Sequence, residues 1–169
     1  MSLRNLCFQA DRRFVHEELG WNYRMTNLQA ALGVAQLERL DAHIQKNREI
    51  GRRYLELLRD LPDVALPLEK TDYAENIYWV YGIVLSPKRH VDRQQITQRL
   101  RDAGIGTRPF FWPMHEQPIL LEQGFAVKSQ SHPFAEHLAR WGFYIPSGLG
   151  LTPQDQAIVS DALHDILCQ

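Results

Sequence analysis

Two short stretches gather most of the side chains that could hold or polarise a ligand. The first is Gly20-Trp21-Asn22-Tyr23-Arg24-Met25-Thr26. Asn22 offers a neutral amide, Tyr23 a phenol on a flat ring, and Arg24 a planar fork of donors. Set against the open amides of a helix N-terminus, these suit a phosphate group. The residue types equally allow an ordinary exposed arginine beside two packed aromatics. The second stretch is Thr107-Arg108-Pro109-Phe110-Phe111-Trp112-Pro113-Met114-His115-Glu116-Gln117-Pro118. Consecutive aromatics stiffened by prolines offer faces for a nucleobase, and Arg108 and His115 can meet phosphate or sugar oxygens. The alternative is a proline-rich cover over the core. Side chains alternate along an extended segment, however, so three adjacent aromatics cannot all point inward.

Other chemistries find less support. His132 and His137 fall on different faces of a helix, and no cysteine or carboxylate set completes a ligand group, so no metal site is expected. His16, His43, His90 and His164 are scattered, and GxGxxG, P-loop and GxSxG patterns are absent. Glu17 with Glu18, and Asp60 with Asp63, read as solvated faces.

Elements must position the two stretches. Thr26 and Gln29 form a capping box. Apolar residues then recur in steps of three or four from Leu28 to Leu61, and Pro62 stops them. Unbroken, residues 26 to 61 make a helix about 54 Å long, with Gly51 as the place for a bend. Ile77 to Leu85 reads as a strand covered on both faces. Asp92 opens a short helix through Ile96 and Leu100 that Gly104 ends. Thr107 to Phe111 reads as an edge strand because of Pro109, Pro133 to Trp141 as a helix, and Phe143 to Ile145 as a strand. Thr152 and Pro153 open the last helix, with Ile158, Val159, Ala162, Leu163, Ile166 and Leu167 as its apolar face. Residues from Trp112 to Ser131 lack periodicity and read as a functional loop. The fold class is α+β, a sheet of about three strands packed with helices behind a long N-terminal helix.

The chain has 169 residues, 44% of them hydrophobic and 23% charged, which is ordinary for a folded domain. A net charge of −1 leaves no basic field for nucleic acid or an anionic membrane surface. Two cysteines, Cys7 and Cys168, are too few for a disulfide scaffold. With no apolar run long enough for a bilayer and no visible signal peptide, a cytoplasmic location is expected.

Gly20 to Gly33 strongly resembles the GYNYRMTNxQAALG segment of the sugar-nucleotide aminotransferases, the DegT/StrS family of fold type I enzymes dependent on pyridoxal phosphate (PLP). Tyr78 to Leu85, Thr107 to Pro118 and Tyr144-Ile145-Pro146-Ser147-Gly148-Leu149-Gly150-Leu151-Thr152 agree with it in family order. The resemblance implies the C-terminal half of such an enzyme. Residues 1–25 are then a remnant of the large PLP domain with an interface loop, 26–61 an interdomain or interface helix, and 62–169 the small α+β domain. It assigns Asn22 to the PLP phosphate of the other subunit, places Tyr23 and Arg24 in the same pocket, and turns Arg108, Phe111, Trp112 and His115 toward the nucleotide sugar. The RPFFxPMHxQP wording resembles the branch that aminates C4 of a GDP-linked 4-keto-6-deoxymannose-like sugar, with glutamate as donor.

The lysine that bonds PLP lies, in this family, ahead of the matching segment. Lys46, Lys70, Lys88 and Lys128 do not stand in its context. No catalytic residue is therefore expected here, PLP is expected in the full-length parent but not on this chain alone, and the chain alone should not turn over. Partners implied are a nucleotide sugar and a second subunit, in a homodimer or other self-association, with no nucleic acid and no membrane. Two alternatives stay open: a non-catalytic dimerisation or nucleotide-sugar-binding domain, and part of a PLP-dependent sugar dehydratase, in which histidine replaces the lysine. Met1-Ser2-Leu3 before a mid-sequence start reads as an expression leader.

Overall fold

Thr26 begins the first helix as its spacing predicts. Its hydroxyl accepts from the Gln29 amide at 3.3 Å, and the Gln29 side chain accepts from the Thr26 amide at 2.8 Å. These are features of a computed structural model of the chain, which describes residues 3–8, 11–12, 14–88, 92–125 and 131–168. Met1, Ser2, His90, Lys128 and part of the loop read over Trp112 to Ser131 lie outside the described residues.

Two units divide the chain, Met1–Ala42 and His43–Gln169. In the first, Gly20 to Arg24 runs alongside Leu3 to Leu6, with the Trp21 amide donating to Leu3 O and the Tyr23 amide to Arg4 O. Helix α1 (Asn27–Leu37) follows and buries none of its residues. Leu28 and Leu32 are exposed.

The expected single helix is two. After α1 the ladder fails, because the Arg39 amide turns to Gln36 O in a three-residue step. Helix α2 (Leu40–Leu58) then runs on without interruption through Gly51. Gly51 is thus no bend; it lets the Tyr78 ring approach, and a Cβ there would stand 2.3 Å from that ring.

In the second unit, β1 (Val64–Ala65), β2 (Tyr81–Leu85), β3 (Arg108–Pro109) and β4 (Gly142–Ile145) form an antiparallel sheet in the order β1-β2-β4-β3. Four strands stand where about three were expected, the added one being the two-residue β1. The strand expected from Ile77 begins only at Tyr81. The Asn76 side chain accepts from the Tyr78 amide at 2.8 Å, and Tyr78 takes a φ of 47°, which bends the chain before the sheet starts.

Register Ile83↔Phe143 and Tyr81↔Ile145 puts four fully or nearly fully buried side chains on one sheet face. Against them pack Ile50, Tyr54 and Leu58 of α2, Ile96 and Leu100 of α3 (Arg93–Asp102), and Val159, Leu163, Ile166 and Leu167 of α6 (Pro153–Leu167). Each large apolar side chain so buried contributes roughly 1.5–3 kcal/mol. The other face is only half-buried, so β2 alternates instead of being covered equally on both sides. Helix α6 opens on the expected cap, Thr152 and Asp155 bonding each other reciprocally. Its polar stripe was not foreseen. Gln156, Ser160 and His164 donate at 2.9, 3.3 and 3.0 Å to the α2 carbonyls of Ile50, Leu57 and Leu57.

Candidate functional site

In the first unit the backbone pairing with Leu3 to Leu6 fixes the Gly20 to Arg24 segment. Gly20 is required there, since a Cβ would lie 2.4 Å from the Cys7 amide nitrogen. Trp21 and Tyr23 stack with ring centroids 6.3 Å apart. The Arg24 Nε donates to Asn22 Oδ1 at 3.0 Å. That bond occupies the oxygen of Asn22 and leaves its NH2 as the donor end. Asn22, Tyr23, Arg24, Met25 and Gln29 line one open recess of ≈ 350 Å³. Donors without a carboxylate suit an anion. No lysine lines the recess, so the residues there fit the phosphate end of PLP and not its covalent attachment.

The aromatic stretch of the second unit resolves into three orientations. Phe110 turns onto the sheet, stacked on Tyr144 at 4.5 Å between centroids, with its ring over Gly82 and Gly142. Cβ atoms at those glycines would come within 2.6 and 2.5 Å of that ring. Phe111 faces solvent at 77% exposure. Trp112 is half-exposed, with the Arg140 guanidinium carbon 5.7 Å from its ring centroid.

Beyond Pro113 a 3-10 turn (Met114–Glu116) delivers His115 inward, and α4 (Pro118–Glu122) follows. His115 Nε2 lies 3.1 Å from Glu136 Oε1, which also accepts the His132 amide at 2.8 Å. The first of these backbone and side-chain bonds, from the His132 amide, is the main reason the Glu136 carboxyl is held below its usual range; His115 and Arg140 add to it. Arg140 Nη2 donates to Glu116 at 2.8 Å, which raises the guanidinium further above its ordinary value. The His115 and His132 rings meet edge to face at 4.6 Å.

The fold thus joins Trp112 and His115 through a network that the sequence reading missed. Its members Glu136 and Arg140, with His132 before them, recur every four residues on α5 (Pro133–Trp141), and that spacing was the available signal. Arg108 is exposed on edge strand β3, and no bond or ring contact ties it or Phe111 to His115 among the described residues. The fold also brings Glu136 to His115, beside Glu116, which adjoins it in sequence.

No helix among the described residues is long and apolar enough to cross a membrane. The sequence profile of the DegT/DnrJ/EryC1/StrS aminotransferases matches residues 1–164. GDP-perosamine synthase of Escherichia coli O157:H7 is 34% identical over 154 residues, covering 91% of this chain and 40% of that protein. The chain therefore spans about two-fifths of the length of such relatives. Among solved structures, S. venezuelae DesV in complex with a ketimine intermediate aligns with TM-score 0.80 at 27% identity, over 96% of this chain and 42% of that one. E. coli GDP-4-keto-6-deoxy-D-mannose-3-dehydratase with bound hydrated PLP aligns at TM-score 0.78 and 19% identity, over 92% of this chain and 40% of that one, a likeness of fold alone.

Proposed function

This chain belongs to the DegT/DnrJ/EryC1/StrS aminotransferase family, and from that premise we propose that it is the ligand-gripping portion of a PLP-dependent nucleotide-sugar 4-aminotransferase. The substrate class is a GDP-linked 4-keto-6-deoxymannose-like sugar, with glutamate as amino donor. The observation that carries the reading is the 34% identity with a GDP-perosamine synthase over 91% of the chain. It favours amination over dehydration, for which the likeness is confined to fold.

PLP, when bound, supplies the electron sink through which an amino group is transferred. The roles of this chain are binding and orientation. The Asn22 NH2 donates to the cofactor phosphate, across a subunit boundary, while Arg24 braces its oxygen and adds positive charge. Tyr23, 69% exposed beside them, closes the recess against the sugar. Phe111 and Trp112 present flat faces to the base. Arg108 meets the diphosphate, and His115, fixed by Glu136, meets a sugar oxygen. The covalent amine belongs to the remainder of a parent dimer.

The test is product analysis with the full-length protein, PLP, glutamate and GDP-4-keto-6-deoxymannose. The expected product carries an amino group at C4, and Arg108→Ala raises KM more than it lowers kcat. A product lacking a hydroxyl instead of gaining nitrogen overturns the assignment. Glutamate and 2-oxoglutarate interconversion by the 169-residue chain alone would overturn the division of labour.

A further inference from the structure

His115, Glu116 and Glu136 offer one nitrogen and two carboxylate oxygens, all within 4.8 Å of one another. His115 Nε2 stands 3.1 Å from Glu136 Oε1 and 3.8 Å from Glu116 Oε1. A tetrahedral zinc ion with bonds of about 2.0–2.2 Å separates neighbouring ligand atoms by about 3.4 Å. The two spacings from His115 bracket that value, and the edge between the two carboxylates is no longer than 4.8 Å. The side chains are 11, 23 and 26% exposed, reachable from solvent yet shielded from much of it.

The surroundings also fit. Each carboxylate already has an outer donor: the His132 amide on Glu136, and Arg140 on Glu116. Such partners hold a ligating oxygen in place. We propose that His115, Glu116 and Glu136 form a binding site for a zinc-type divalent cation, with water at the fourth position. The imidazole ligand selects against magnesium and calcium, which take oxygen. Coordination replaces the direct contact between His115 Nε2 and Glu136 Oε1 with bonds from both atoms to the cation. Arg140 opposes the added charge, which sets the site apart from tight structural zinc.

The site shares His115 and Glu136 with the proposed sugar contact but does not rest on that reading, and its test uses no PLP or nucleotide sugar. Zinc chloride titrated calorimetrically into the 169-residue chain should bind at one saturable equivalent. His115→Ala and Glu136→Gln should each weaken it at least about tenfold, while His43→Ala leaves it unchanged. Cobalt in place of zinc should give d–d bands without a thiolate charge-transfer band, since Cys7 and Cys168 are free thiols and the competing ligands. If a variant misfolds, cobalt on the wild-type chain decides, because it should shift the His115 imidazole resonances. Absence of saturable binding, a thiolate band, unshifted His115 resonances, or full affinity in folded His115→Ala overturns the site.

Discussion

Glu136 Oε1 lies 3.1 Å from His115 Nε2, across 21 residues of chain. The same oxygen takes the His132 amide, so one carboxylate ties the start of α5 to the segment carrying the candidate ligand contacts.

Acid should loosen that tie. The Glu136 carboxyl is held below its usual range, first by the His132 amide and then by His115 and Arg140. A lowered folded-state value stabilises the fold above the unfolded value of about 4.3 and loses that contribution as pH falls through the folded value. Urea midpoints measured from pH 6 downward should therefore fall more steeply for wild type than for Glu136→Gln. Parallel curves would refute the link.

Gly51→Ala tests the approach of Tyr78. Alanine gains up to about 1 kcal/mol of helix propensity, but its Cβ would meet the ring at 2.3 Å inside a packed core. Overpacking of this kind costs about 1–3 kcal/mol. Net destabilisation in urea unfolding is expected, and a stabilised variant would show that the ring lies elsewhere.

Gly82 and Phe110 should prove coupled. Gly82→Ala drives a Cβ to within 2.6 Å of the Phe110 ring, and Phe110→Ala removes that ring. In a double-mutant cycle the two changes should deviate from additivity by at least about 0.5 kcal/mol. Additive effects would place the Phe110 ring away from the sheet.

Thr152→Ala should cost about 1 kcal/mol in urea unfolding. It should also return the Asp155 carboxyl, held low first by the Thr152 hydroxyl and then by its amide, toward the ordinary range in an NMR titration. An unchanged Asp155 would mean that the box does not form.

The Thr26 capping box, the Thr152 cap, the Pro133 to Trp141 helix and the edge placement of Pro109 were legible because each rests on residue types a few positions apart. The end of α1, the turn at Tyr78 and the role of Gly51 were not. Arg39 departs from the ladder without a glycine or proline to mark it, and Tyr78 adopts its φ because Asn76 and the Gly51 space accommodate it. The candidate site divided in the same way. Asn22, Tyr23 and Arg24 are neighbours in sequence, and the fold leaves them lining one recess. Glu136 and Arg140 meet His115 and Glu116 only once α5 has formed, from 21 and 24 positions away.

Gln156, Ser160 and His164 reach back 106, 103 and 107 residues to the carbonyls of α2. Contacts at such separation are slow to form, because the intervening chain must first be gathered in. During synthesis, the half of α2 beside the sheet waits for α6 to leave the ribosome before it is locked. Until then Tyr54 and Leu58 lack part of their cover, and a chaperone or protease meets the nascent chain at its most vulnerable. Translation speed over the last helix is thus a lever on yield that acts through none of the ligand-facing residues.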